Sequence, residues 1–105
     1  MKTVTYTKKD IVQCVAKAVN APDLQTRAFV DHTFKVMAQM LIEDHGRDRL
    51  RIEIRNFGVL EVKPTKAKPK ARNPRTNEIV YVPAHRKTHF KAGKIIREEL
   101  RKPLK

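Results

Sequence analysis

Apolar side chains in the first forty residues recur every three to four positions, whereas those beyond residue 49 alternate with polar ones. Ile11, Val12, Val15, Ala16 and Val19 form one helical stripe, and Thr7 with Asp10 three residues on has the form of a capping box. Asn20-Ala21-Pro22-Asp23 interrupts this helix. Asp23 suits the N-cap of a second helix, and Asn20 with Pro22 just inside suits it nearly as well. There Val30, Phe34, Met37 and Leu41 step by three and four, with Ala38 and Ile42 widening the face. Asp44-His45-Gly46 is expected to end it, Gly46 supplying a left-handed C-cap. Two short helices cannot bury so much apolar surface alone, so the stripe reads as core or dimer interface.

The period then falls to two. Leu50, Ile52 and Ile54 alternate with Arg49, Arg51, Glu53 and Arg55, the pattern of a half-buried strand. Asn56-Phe57-Gly58 makes a tight turn into a second strand over 59–62, and so short a connection implies antiparallel pairing. From Pro64 onward Lys66, Lys68, Lys70 and Arg72 occupy every second position, which in an extended chain places them on one side of a ribbon. Asn73-Pro74-Arg75-Thr76-Asn77 is dense in turn residues, and the β-branched run Glu78-Ile79-Val80-Tyr81-Val82 returns as a strand. Residues 63–83 therefore read as a long hairpin, mobile until it meets a partner. Phe90 and Phe57 read as core anchors. Ile95, Ile96, Glu99 and Leu100 suit a short last helix over about 90–101, stopped before Pro103, and Gly93 within it implies a close backbone approach. The expected organisation is one α+β domain over 1–105, with a helical part at about 6–45, sheet and arm at about 49–84, and the closing helix.

Charge sharpens this picture. The chain of 105 residues carries a net +13, unevenly distributed. Residues 1–62 hold +2 and residues 95–105 hold +2, while residues 63–94 set ten Lys and Arg against Glu78 alone, giving +9. Such concentration is the footprint of a polyanion partner, since each cation placed on a phosphate releases condensed counterions. Other chemistry finds little support. No Gly-rich phosphate loop, serine elbow or paired acid set is present, so no enzyme, cofactor or small-molecule substrate is expected. His85 and His89 stand four apart, but no Cys or acid near them completes a metal site. Aromatic residues are too few for a single-strand stacking platform. Cys14 reads as a small packing residue. No apolar run approaches 18 residues, residues 1–6 lack the apolar core of a signal peptide, and one cysteine fits a reducing compartment, so the expected location is cytoplasmic, with no membrane partner.

Four segments in order then carry a resemblance: Asn56-Phe57-Gly58, Arg72-Asn73-Pro74-Arg75-Thr76, Val82-Pro83-Ala84 and Phe90-Lys91-Ala92-Gly93-Lys94. Together they resemble the bacterial HU/IHF family of histone-like, nucleoid-associated DNA-binding proteins, over roughly residues 6–101. The resemblance implies an intertwined dimer, with a helical body and two β-ribbon arms that embrace duplex DNA through the minor groove. It assigns Pro74 as a wedge inserted between base pairs, flanked by Arg72, Asn73 and Arg75. Lys63, Lys66, Lys68 and Lys70 would follow the phosphates along the arm, with Lys91 and Lys94 beside the body and Arg86 and Lys87 extending that path. The implied function is low-specificity DNA bending by a homodimer, or by a heterodimer with a paralogue. A site-specific bender of the IHF type is the alternative, and an RNA-binding basic protein a weaker one. The chain departs from the family pattern at Ala71 and Asn77, where Gly is usual, and at Asn56. It also lacks the usual Pro before Phe90. One extra residue between Gly58 and Asn73 calls for a β-bulge.

Overall fold

The computed structural model describes residues 1–104, which separate into two compact units, Met1–Ile42 and the segment from Glu43 onward. The first holds helices α1 (Lys8–Val19) and α2 (Asp23–Ile42). The capping box forms as expected: Asp10 Oδ2 accepts the Thr7 N–H at 2.8 Å, and Thr7 Oγ1 accepts the Asp10 N–H at 3.5 Å. The carboxylate accepts both from the Thr7 N–H and from the Thr7 hydroxyl, the latter at 3.0 Å, and these two bonds hold it below the usual carboxylate range. Asn20 closes α1 in the left-handed conformation (φ 55°), its N–H returning to the carbonyls of Ala16 and Lys17. At the start of α2 it is the Pro22 carbonyl that receives the Thr26 N–H at 3.0 Å, and Asp23 is already helical. Gly46 does adopt a positive φ of 62°, but four residues beyond the end of α2, where its N–H binds Asp44 Oδ1 at 2.8 Å. It turns the connecting loop and does not cap the helix.

Val12 and Ala16 of α1 are buried, as are Thr26 and Val30 of α2. A Lys8–Asp31 ion pair at 2.9 Å links the two helices. Of the expected α2 stripe only Val30 is buried; Met37 and Leu41 are half-buried and Phe34 is exposed. Phe29, Val36 and Met40, on a different side of α2, are exposed as well, Phe29 at 68%. The stripe that the period marks is thus only part of the apolar surface of α2, and one chain leaves most of that surface without a lid.

In the second unit β1 (Leu50–Ile54) pairs antiparallel with β2 (Gly58–Pro64), in register from Leu50↔Val62 to Ile54↔Gly58. Asn56 sits in the turn at φ 66°, a conformation Asn tolerates. The other edge of β2 pairs with a strand absent from the sequence expectation. Residues Arg86–Ala92 form β5, running from Gly58↔Ala92 to Pro64↔Arg86. Two further strands, β3 (Lys68–Arg72) and β4 (Ile79–Val82), make a separate ribbon. The last helix, α3, spans only Lys94–Leu100, so Phe90, Lys91 and Ala92 belong to the sheet and not to the expected helix. The physical reason is the free edge of β2, whose backbone groups must find partners. Gly58 makes this pairing possible. A Cβ there would stand 2.5 Å from the Lys91 carbonyl oxygen and 2.7 Å from the Phe90 ring. Gly93 approaches closely as expected, donating its N–H to the Phe57 carbonyl at 2.8 Å. Phe57 and Phe90 pack on each other, ring centroids 5.4 Å apart, yet both remain exposed, so neither is the core anchor anticipated.

Candidate nucleic-acid interface

Strand pleating and register divide the three-stranded sheet into two chemically distinct faces. Leu50, Ile52, Ile54, Leu60, Val62 and Phe90 share one face; Arg51, Glu53, Glu61, Lys63, Lys87, His89 and Lys91 share the other. Lys63 stands directly opposite Lys87, an arrangement that is unfavourable without an anion nearby. Glu61 supplies that anion. Its side chain is only 8% exposed and lies 3.1 Å from Lys63 Nζ, 3.3 Å from Lys91 Nζ and 4.0 Å from Arg51 Nε. The hydrogen bond from Lys63 holds the Glu61 carboxyl below the usual range, against burial that alone would raise it, and Lys91 acts in the same direction as Lys63. One carboxylate thus gathers two of the expected DNA-binding lysines onto a single face. Sequence reasoning did not single out Glu61. An acid amid alternating apolar residues was the available signal.

The ribbon carries the remaining arm cations, but not on one side. Lys68 pairs with Val82 and Ala71 with Val80, so Pro69 and Lys70 together oppose Tyr81. This is the expected β-bulge, and it reverses the facing of everything beyond it. Lys68 shares a face with Ala71, Val80 and Val82, whereas Arg72 lies with Ile79 and Tyr81 on the opposite face. Lys66 falls between the two sheets. The single cationic face expected from period-2 spacing is therefore corrected to a ribbon with cations on both faces.

At the tip, Asn73 donates its N–H to the Glu78 carbonyl at 2.8 Å and accepts the Asn77 N–H on its carbonyl at 2.7 Å. Its Oδ1 takes the Arg75 N–H at 3.0 Å. Asn77 adopts φ 61°, and its Oδ1 accepts from the Arg72 guanidinium at 3.0 Å. These bonds commit Asn73 to building the turn and leave Pro74 and Arg75 exposed at its apex. Pro74 has no N–H to satisfy. Lys94 is exposed at the first turn of α3, and Arg86 is turned to the face opposite Lys87, where its guanidinium donates to the Glu43 carbonyl. The structure therefore brings Lys63, Lys87 and Lys91 together and gathers Arg72, Asn73, Pro74 and Arg75 at the tip. Arg86 stands apart from both groups.

Comparison with known proteins bears on the family and the fold. The family model for bacterial DNA-binding proteins matches residues 6–101. Integration host factor subunit beta of Marinobacter nauticus is 33% identical over 104 residues, covering 94% of this chain and 96% of that protein. Integration host factor subunit alpha of Psychrobacter cryohalolentis is 30% identical over 96 residues, covering 91% of each. The structure of Anabaena HU cocrystallised with DNA superposes with a TM-score of 0.75 at 28% identity, over 93% of this chain and all of that one. The fold matches along with the sequence, and the chain belongs to the HU/IHF family of bacterial DNA-binding proteins, which are architectural and not enzymes.

Proposed function

We propose that this protein acts as a dimer that grips duplex DNA through the minor groove, bends it with little regard to sequence, and so organises the nucleoid in the cytoplasm. The observation that carries this reading is the exposed Pro74 at the apex of a hydrogen-bonded turn, on a ribbon with cations on both faces. A rigid apolar wedge lacking an N–H can enter a partly opened base step, and phosphate contacts along the ribbon offset the unstacking. Lys66, Lys68, Lys70, Arg72 and Arg75 supply those contacts from the arm, and Lys63, Lys87, Lys91 and Lys94 from the sheet and last helix. Arg86 would join this path only by releasing the Glu43 carbonyl and leaving the opposite face of the sheet. Phosphate contacts carry little base information, which supports low specificity. Dimer formation is supported by the exposed apolar side chains of α2, Phe34 on one side of the helix and Phe29, Val36 and Met40 on another. The test is end-to-end FRET on a labelled duplex. Wild-type protein shortens the duplex, and Pro74→Ala reduces bending more than affinity; absence of shortening with the wild type rejects the bending role.

The identity to integration host factor subunits alpha and beta favours a second reading, selective bending of particular sites by a heterodimer. Selectivity would then arise from deformable steps and narrow grooves. Competition between random and selected duplexes separates the two readings.

A further inference from the structure

The body sheet and the ribbon are separate ladders joined by a gap. Pairing stops at Pro64↔Arg86 and resumes at Lys68↔Val82, leaving residues 65–67 and 83–85 outside both sheets. Pro64 and Pro83 have no N–H to contribute to the gap. Among the described residues, the hydrogen bonds that cross it all meet at Thr65 and His85. The Thr65 N–H donates to the His85 carbonyl at 2.7 Å. The Thr65 hydroxyl donates to the same carbonyl at 3.1 Å and accepts the His85 N–H at 3.1 Å. The His85 Nδ1 lies 3.0 Å from the Pro83 carbonyl and 3.1 Å from Thr65 Oγ1. A carbonyl oxygen only accepts, so the Pro83 contact is a hydrogen bond in the tautomer that carries its hydrogen on Nδ1, and that one hydrogen then faces both the Pro83 carbonyl and Thr65 Oγ1. Little packing braces this junction: cavities of 410 Å³ and 220 Å³ are each lined by both residues. The sheet side is anchored by Arg86 on the Glu43 carbonyl.

We propose that the Thr65–His85 clip is the hinge that fixes the pitch of the arm on the sheet, and that Thr65 is a positioning residue for the Pro74 wedge. The inference rests on the bending role proposed above. Its leverage follows from length. Pro74 lies nine positions beyond Thr65, so at about 3.3 Å per residue the tip stands about 30 Å out. A pitch change of about 10° moves it by about 5 Å, more than the ~3.4 Å between successive bases on a strand. An arm loose at this joint keeps its cations and its wedge but no longer delivers the wedge to one step.

The test compares wild type, Thr65→Val, which keeps the shape and removes the hydroxyl, and Thr65→Ser, which restores it. In the free protein, NMR relaxation of amides 68–82 is expected to show order parameters falling towards about 0.6 in Thr65→Val, with Thr65→Ser like wild type. On DNA, Thr65→Val is expected to give a smaller and broader FRET change while affinity stays close to wild type. Equal arm mobility in Thr65→Val and wild type overturns the hinge. Greater mobility with unchanged bending overturns its link to the wedge. Failure of the wild type to bend DNA removes the underlying role but leaves the free-protein measurement valid, so the two failures are distinct. Should Thr65→Val lose its fold by circular dichroism, His85→Ala removes the ring contacts alone and is judged by the same two readouts.

Discussion

Lys68→Ala is the most direct probe of the arm. Lys68 is exposed and pairs with Val82 on the ribbon, with no carboxylate in ion-pair range among the described residues. Its charge is therefore free for a phosphate. In a dimer the substitution removes one contact from each of two arms. At about 0.9 per phosphate on duplex DNA, the slope of log K against log salt should become shallower by about 1.8. Over a fourfold rise in salt, wild type should then lose roughly tenfold more affinity than the variant. Fluorescence anisotropy on a random duplex, titrated at several salt concentrations, measures both slopes. Lys91→Ala provides the contrast. Its ammonium lies 3.3 Å from Glu61, so part of its charge is already neutralised and its slope change should be the smaller. An unchanged slope for Lys68→Ala refutes phosphate contact by the ribbon, and a change of only about 0.9 refutes the two-armed grip.

Further outcomes follow from other parts of the fold. Gly58→Ala drives a Cβ into the Lys91 carbonyl and the Phe90 ring, and should cost about 1–3 kcal/mol in a chemical denaturation. Phe34→Ser, on the exposed part of the α2 stripe, should shift the protein towards monomer in sedimentation and lower a melting temperature that depends on protein concentration. The carboxyls of Asp10 and Glu61 are held below their ordinary values by Thr7 and by Lys63 with Lys91. The stability they add is complete above the unfolded-state values, about 3.9 for Asp and 4.3 for Glu, and is lost as pH falls through the folded ones. Glu61→Gln should flatten that acid limb in melts recorded against pH.

Local chemistry in the sequence determined a good deal. The Thr7–Asp10 box, the helical periods of α1 and α2, the β1–β2 hairpin and the turn at residues 73–77 all depend on near neighbours. Asn56 and Asn77 could be placed in left-handed turns because their side chains tolerate that backbone wherever the fold puts them. The charge concentration in residues 63–94 was equally legible, being a property of composition. Contacts between distant residues decided the rest. Residues 86–92 become a strand because β2 has an open edge, a demand that no local window contains. The bulge was expected from one surplus residue, but its position opposite Tyr81, and hence the side on which Lys68 and Arg72 lie, depends on the partner strand. Glu61 acquires its role only once β1 and β5 bring Arg51 and Lys91 alongside. Periodicity states which side chains share a face of their own element, and only pairing across the chain states what that face meets.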